Sequence, residues 1–445
     1  MSRTKIVHSR LSSFPHDNSK NLRLLFYSLI IGLIAGLFGS LFRIAINLIE
    51  HFREIIYNNH ANLISWLWPF LFSAACISIA LFLIRKFAPE AAGSGIQEIE
   101  GALDGKRPVR WKRILPVKFF ASLFSLGSGL LLGREGPTIQ IGANIGEMVK
   151  ESLGHPDMED NPLISAGAAA GLGSAFNAPF AGIVFVIEEM HGHFKFNFYS
   201  LAAIMIGAAS SDFVVRALVD SSPVIHMTVY PSPGIYSLWL FILLGLILSV
   251  LGYLFNNLLI KSLDLVRFLK KSNVIFAGIG IGSIIALIGF FFPEMIGGGY
   301  NTITKVLDHS FTLSFLLLLF SVRLLLTIFS YSTGVAGGIF VPMLTLGVII
   351  GLLFGSIAQH FLPGLISHPG VFAVAGMAGI FASTVRAPLT GIALAVEMTS
   401  NFELILPLMI TTATASVFTA LLGNKPIYNT LLNRTLEDTK LNIKS

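Results

Sequence analysis

LGREGPTIQIGANIG, residues 132–146, is a charged, Gly-rich stretch set inside an otherwise apolar chain. A second, chemically altered copy follows 205 residues later. Gly129, Gly133, Pro137, Gly142 and Gly146 of the first recur as Gly334, Gly338, Pro342, Gly347 and Gly351 of the second, with Glu135 and Phe340 at equivalent places. A membrane chain that doubles a broken Gly/Pro segment, and charges only one copy, places its chemistry where the two copies meet.

The rest of the composition agrees with a membrane setting. Hydrophobic residues make up 54% of the 445-residue chain and charged residues 12%, with a mean hydropathy of +0.76. Soluble domains carry about 25% charged residues, so the bilayer is the solvent. At about 20 residues per crossing, the length allows many helices and no large domain outside the membrane. The single cysteine, Cys76, excludes an intrachain disulfide framework and a cysteine-rich metal site. The net charge of +6 sits mostly in loops, which reads as topology and not as affinity for nucleic acid. Basic residues (Arg3, Lys5, Arg10, Lys20, Arg23) precede an apolar run from about Leu24 to Ile49. A signal peptide has an apolar core of only about 7–15 residues, so this run is expected to stay as the first span.

Two further blocks repeat. PEAAGSGIQEIEGAL (89–103) matches PEMIGGGYNTITKVL (293–307) at an offset of 204, and NAPFAGIVFVIEEM (177–190) matches RAPLTGIALAVEM (386–398) at an offset of 209. Three blocks in one order at nearly one offset define two halves. The expected division is an N-terminal segment 1–23, a first membrane repeat 24–220, a second 235–428 and a short tail 429–445, too short for a regulatory domain. The first half has basic residues before the first span and a dense set after the second (Lys106, Arg107, Arg110, Lys112, Arg113, Lys118). The positive-inside rule puts both in the cytoplasm, with two crossings at about 23–50 and 64–87 between them. In the second half the corresponding span, near 236–257, has its basic cluster (Lys261, Arg267, Lys270, Lys271) after it, and 308–322 contains no Lys or Arg. The second half is therefore expected to lie upside down, which is a transporter architecture. Segments 139–150, 163–175, 179–190 and 388–398 are too short to cross and are expected as re-entrant or half-length helices. Their breaks bring helix N-termini, with free N–H groups and a positive dipole end, into the membrane, where they attract anions.

Glu135 lies between Gly133 and Pro137 at the opening of such a helix. A carboxylate there can satisfy the N–H groups that would otherwise hold an anion, and can vacate them when protonated. Arg134 beside it is expected to form a structural ion pair. Glu188 and Glu189 end the apolar segment FVIEEM, where a carboxylate pair is expensive and functional by default. Glu397, the repeat equivalent of Glu188, is expected to partner a buried polar group. His191 and His193 follow the pair, but a metal needs converging ligands and no further His or Cys is evidently supplied, so neither a metal nor a cofactor is expected. With no HExxH and no GxSxG, a membrane-embedded hydrolase lacks its residues.

GREGP (133–137), GSGI (93–96), GGIFVP (337–342) and KPIY (425–428), on a doubled membrane chain, together resemble the CLC family of chloride channels and chloride–proton exchangers, from about residue 25 to the end. The resemblance implies an all-α integral membrane protein of two inverted-topology repeats of tilted, partly broken helices. It also implies a homodimer with one pathway per subunit, in a bacterial inner membrane with both termini cytoplasmic. Carried over position by position, it makes Ser94 and Tyr428 hydroxyl ligands of a central chloride, the N–H groups of Ile339 and Phe340 its amide donors, and Glu135 the external gate. Glu189 resembles the internal proton-transfer glutamate of the proton-coupled branch, and Glu188 an accessory acid beside it. Exchange of chloride for protons is the implied activity, with a passive chloride channel of the same fold as the alternative; Glu189 favours exchange. Gln97 departs from the family's usual proline after GSGI and bears on anion preference, while intact Ser94 favours chloride over nitrate. Ser94 and Tyr428 together argue against the fluoride-exporting branch.

Overall fold

The computed structural model describes residues 18–58, 64–153, 161–190, 192, 196–267, 271–308, 311–366 and 368–444. His191 and His193 lie outside them, as does most of the basic N-terminal segment. Seventeen α-helices follow one another in these residues. The first eight are α1 (Asn18–Tyr57), α2 (Leu67–Phe87), α3 (Ile96–Leu103), α4 (Trp111–Gly127), α5 (Glu135–Ser152), α6 (Pro162–Phe176), α7 (Pro179–Glu189) and α8 (Phe198–Leu218). The next eight repeat them in order: α9 (Trp239–Arg267), α10 (Lys271–Phe291), α11 (Tyr300–Asp308), α12 (Leu313–Ser332), α13 (Phe340–Phe361), α14 (Gly370–Thr384), α15 (Pro388–Thr399) and α16 (Ile405–Leu421). α17 (Ile427–Lys444) has no counterpart. The stretch expected as a short tail, from 429 on, forms most of this helix.

Among the described residues, eight helices are long and apolar enough to span a bilayer. Where they face outward they expose Leu, Ile and Phe, for example Leu317, Leu318 and Leu325 on α12, because hydrocarbon is their solvent. The two most deeply enclosed helices are short. Every residue of α6 and of α14 is buried, and helices apolar on all sides belong in the interior. They pack on α5 and α13 at backbone contact distance. A Cβ on Gly142 would stand 2.1 Å from the Gly167 carbonyl oxygen, and one on Gly347 2.3 Å from that of Gly376. The Gly32 and Gly142 helix faces are likewise used inside one subunit, against α8 and α6. α1 runs well past the apolar stretch that marked it. Its last two turns are polar (Glu50, Arg53, Glu54) and line a cavity of about 530 Å³.

The inverted halves lock together at α7 and α15. Glu397, near the end of α15, accepts the N–H groups of Phe180 (3.2 Å) and Ala181 (2.6 Å) at the start of α7. Glu188, at the end of α7, accepts those of Leu389 (3.0 Å) and Thr390 (2.7 Å) at the start of α15, plus the Thr390 hydroxyl. Each carboxylate thus satisfies otherwise unpaired donors and the positive dipole end of a helix from the other half. The polar group that Glu397 meets is backbone.

Lys118 does not belong to the loop charges with which it was grouped. It is fully buried in α4 and donates to the carbonyls of Ala91 (3.0 Å) and Gly93 (2.7 Å). Arg323, its repeat equivalent in α12, donates to those of Glu294, Ile296 and Gly297. Each half therefore fastens its Gly-rich turn with a buried cation. A cation's N–H groups can hold several carbonyls that no helix or strand satisfies.

Candidate functional site

The Gly-rich turns meet by their backbones. Gly133 and Gly338 exchange hydrogen bonds of 2.7 and 2.8 Å; Gly93 donates to Val335 and accepts from Gly337, both at 2.9 Å; Gly297 donates to Gly129 at 3.0 Å. Positive φ at Gly93 (60°), Gly129 (91°), Gly297 (75°) and Gly334 (75°) bends the chain so that these strands of backbone can approach. The starts of α3, α5 and α13 are thereby brought to one place. Glu135 and Phe340 are the first residues of α5 and α13, as their equivalence in the repeat requires.

Around these helix starts stand buried polar atoms that have no hydrogen-bond partner among the described residues. Among them are Ser94 Oγ, Tyr428 OH, Glu135 Oε2, Gln97 Oε1, Glu189 Oε1 and both carboxylate oxygens of Glu100. Buried polar groups are ordinarily satisfied, so such a set marks a place where something polar passes. Ser94 directly faces the start of α5, since a Cβ on Gly136 would stand 2.2 Å from its Oγ. Tyr428, in the first turn of α17, is fully buried, and its ring stacks on Phe340 at 5.9 Å. Its hydroxyl lies in electrostatic reach of Glu135, Glu189 and Glu100. Ion pairs between Arg434 and Asp264 and between Arg267 and Asp438 fasten α17 to α9, which fixes the helix that presents Tyr428.

Glu135 is fully buried, and its Oε1 accepts the Tyr300 hydroxyl at 2.6 Å. Arg134 closes no salt bridge among the described residues. Its guanidinium donates to the Ala175 carbonyl (3.0 Å) and lies 4.5 Å from the centre of the Tyr300 ring. The reason is local: α5 starts at Glu135 and sends its neighbour's side chain the other way, towards the end of α6. Glu189 is half-buried at the end of α7, with one enclosed carboxylate oxygen, and interacts electrostatically with Glu188 and with Glu100 on α3. Gln97, in the first turn of α3, is buried with its side-chain oxygen unpartnered.

Four participants escape a reading of the sequence. Glu100 is fully buried on α3 and interacts electrostatically with Glu189. The Tyr331 hydroxyl accepts the Ser94 N–H at 3.5 Å. Tyr300 holds Glu135, and Phe176 links the two ends, its ring 6.4 Å from Tyr300 and 6.5 Å from Phe340. Only Glu100 carries a signal, as a carboxylate in the apolar turn of a short helix; the aromatics are indistinguishable from core residues.

Fold and site together define a membrane protein of inverted repeats in which helix N-termini and hydroxyls converge on a cluster of buried, unpartnered polar atoms. The profile of the family described as voltage gated chloride channel matches residues 76–420, and the chain belongs to that family. It is 45% identical over 443 residues to the H(+)/Cl(-) exchange transporter ClcA of Vibrio cholerae serotype O1 (strain M66-2), covering 98% of this chain and 95% of that protein. It is 43% identical, with the same coverage, to the protein of that name from Vibrio vulnificus (strain YJ016). A crystal structure described as a slow cyanobacterial Cl-/H+ antiporter superposes with a TM-score of 0.90 at 39% identity, covering 93% of this chain and 98% of that one.

Proposed function

We propose that this protein is a secondary transporter exchanging chloride for protons. One observation carries the reading: a buried pair of unpartnered hydroxyls, Ser94 and Tyr428, stands with two glutamates, Glu135 and Glu189, whose carboxylates each keep an oxygen free. Chloride is partly dehydrated between the hydroxyls and the N–H groups of Ile339 and Phe340 at the start of α13, where the helix dipole favours an anion. Glu135, at the start of α5, competes for the same kind of position. Ionised, it occupies the path as a surrogate anion; protonated, it no longer matches the donors and leaves. The cavity at the end of α1 then opens to the outside, because the basic N-terminal segment holds the other end of that helix in the cytoplasm.

A proton reaching Glu135 from the cytoplasm cannot share a basic, anion-attracting vestibule. Glu189 supplies a separate route, with Glu188 as an accessory acid that also holds the end of α7 in place. A passive channel needs no second carboxylate there. The setting is a bacterial plasma membrane with both termini cytoplasmic, and the assembly is a homodimer with one pathway per subunit. No chemical turnover is part of this activity.

Purified protein in liposomes, with chloride and proton fluxes recorded together, tests the reading. A chloride gradient should drive protons uphill, and Glu189→Gln should stop proton movement while chloride still passes. A wild-type chloride reversal potential indifferent to a pH gradient would make the protein a channel.

A further inference from the structure

The gating reading of Glu135 leaves unexplained what the carboxylate must release before it moves. Its Oε1 accepts the Tyr300 hydroxyl at 2.6 Å. Tyr300 is the first residue of α11, in the opposite half of the molecule, and it lines the 530 Å³ cavity together with Gly133 and Arg134. Its ring is held from two sides, by the Arg134 guanidinium at 4.5 Å and the Phe176 ring at 6.4 Å. Arg134 is itself tied to the Ala175 carbonyl at 3.0 Å. The hydroxyl therefore meets Glu135 from a fixed platform and not from a flexible side chain.

The repeat sharpens the point. Tyr300 is the counterpart of Ile96, and Glu135 the counterpart of Phe340. In one half-to-half pairing both members are polar, in the other both are apolar.

We infer that Tyr300 is a latch on the gate: a positioning residue whose hydroxyl sets how long the Glu135 carboxylate stays in the anion path. This rests on the gating role proposed for Glu135 above. A hydrogen bond to an ionised acceptor is about twice as strong as one between neutral groups. The latch is thus strong while Glu135 is a carboxylate and weakens when a proton arrives, so release of the gate is tied to its protonation. A chloride ion that displaces the carboxylate must also break this bond.

Tyr300→Phe keeps the ring, the Arg134 contact and the Phe176 contact, and removes only the hydroxyl. Measured as coupled flux in liposomes, it should turn over about tenfold faster, as loss of one hydrogen bond to a charged group implies. The chloride concentration giving half-maximal flux should fall, while the ratio of chloride to protons stays that of the wild type. In a Glu135→Ala background the same change should leave chloride flux as it is. Unchanged or slower turnover in Tyr300→Phe overturns the latch. Equal acceleration with and without Glu135 also overturns it, because Tyr300 would then act as pore wall. Undiminished proton coupling in Glu135→Ala alone would sink the gating reading, and the latch with it; loss of coupling in Glu135→Ala, with Tyr300→Phe no faster than the wild type when Glu135 is intact, overturns the latch only.

Discussion

Replacing Tyr428 by Phe isolates one atom of the anion site. The ring that stacks on Phe340 at 5.9 Å is kept, so packing is preserved and only the unpartnered hydroxyl is lost. A donor to a charged group is worth about 1.5–3 kcal/mol, which is about 10- to 150-fold in Kd. Chloride affinity measured by titration calorimetry on detergent-solubilised protein should weaken within that range. A second consequence has the opposite sign. Without chloride, the buried hydroxyl is an unsatisfied group costing about 1–3 kcal/mol, so the variant should be at least as stable as the wild type in chloride-free buffer. Adding chloride should then separate them. At a concentration of 100 wild-type Kd, ligand binding stabilises the wild type by about 2.7 kcal/mol, and a tenfold weaker variant by only about 1.4 kcal/mol. Thermal denaturation at increasing chloride reads both effects. Unchanged chloride affinity would refute the reasoning and leave Tyr428 as a packing residue.

Glu135→Gln imitates the protonated gate permanently; in liposomes its chloride flux should persist, lose its pH dependence and move no protons, whereas retained uphill proton movement would remove Glu135 from the mechanism. Gly142→Ala would press a methyl to 2.1 Å from the Gly167 carbonyl oxygen, which is backbone and cannot turn away. Overpacking of this kind costs about 1–3 kcal/mol, so its Tm should fall clearly below that of Gly280→Ala, a site with nothing within 4 Å.

Short-range chemistry made much of this legible in the sequence. Gly and Pro at fixed spacing announced the broken helices because they act on the backbone where they stand, and the three offsets announced the repeat. Glu135 and Glu189 were visible because a carboxylate in an apolar segment is costly wherever the chain goes. The partners were not visible. Tyr300 meets Glu135 across 165 residues, and its ring looks like any core aromatic until the fold places the hydroxyl. Lys118 read as a loop charge because hydropathy cannot distinguish a solvated lysine from one satisfied by the Ala91 and Gly93 carbonyls. Arg134 was expected to find an acid. Its neighbour in sequence, Glu135, instead accepts from Tyr300, while the guanidinium donates to Ala175.

The exchange of carboxylates between α7 and α15 has a bearing on ancestry. Each half ends a short helix with an acid whose partners lie in the other half, and begins one whose donors an acid of the other half fills. A half-length chain with this device, expressed alone, would strand both a charge and a helix end inside the bilayer. It could complete itself only by meeting a second copy inserted the opposite way up. A forebear of this gene would then have needed loops so evenly charged that its product entered the membrane in both orientations. Fusion of two such copies would lift that requirement, freeing one half to keep its charges near one face and the other half to move them. The same fusion would let the positions of Glu135 and Phe340 differ, as they do here, without either half losing its hold on the other.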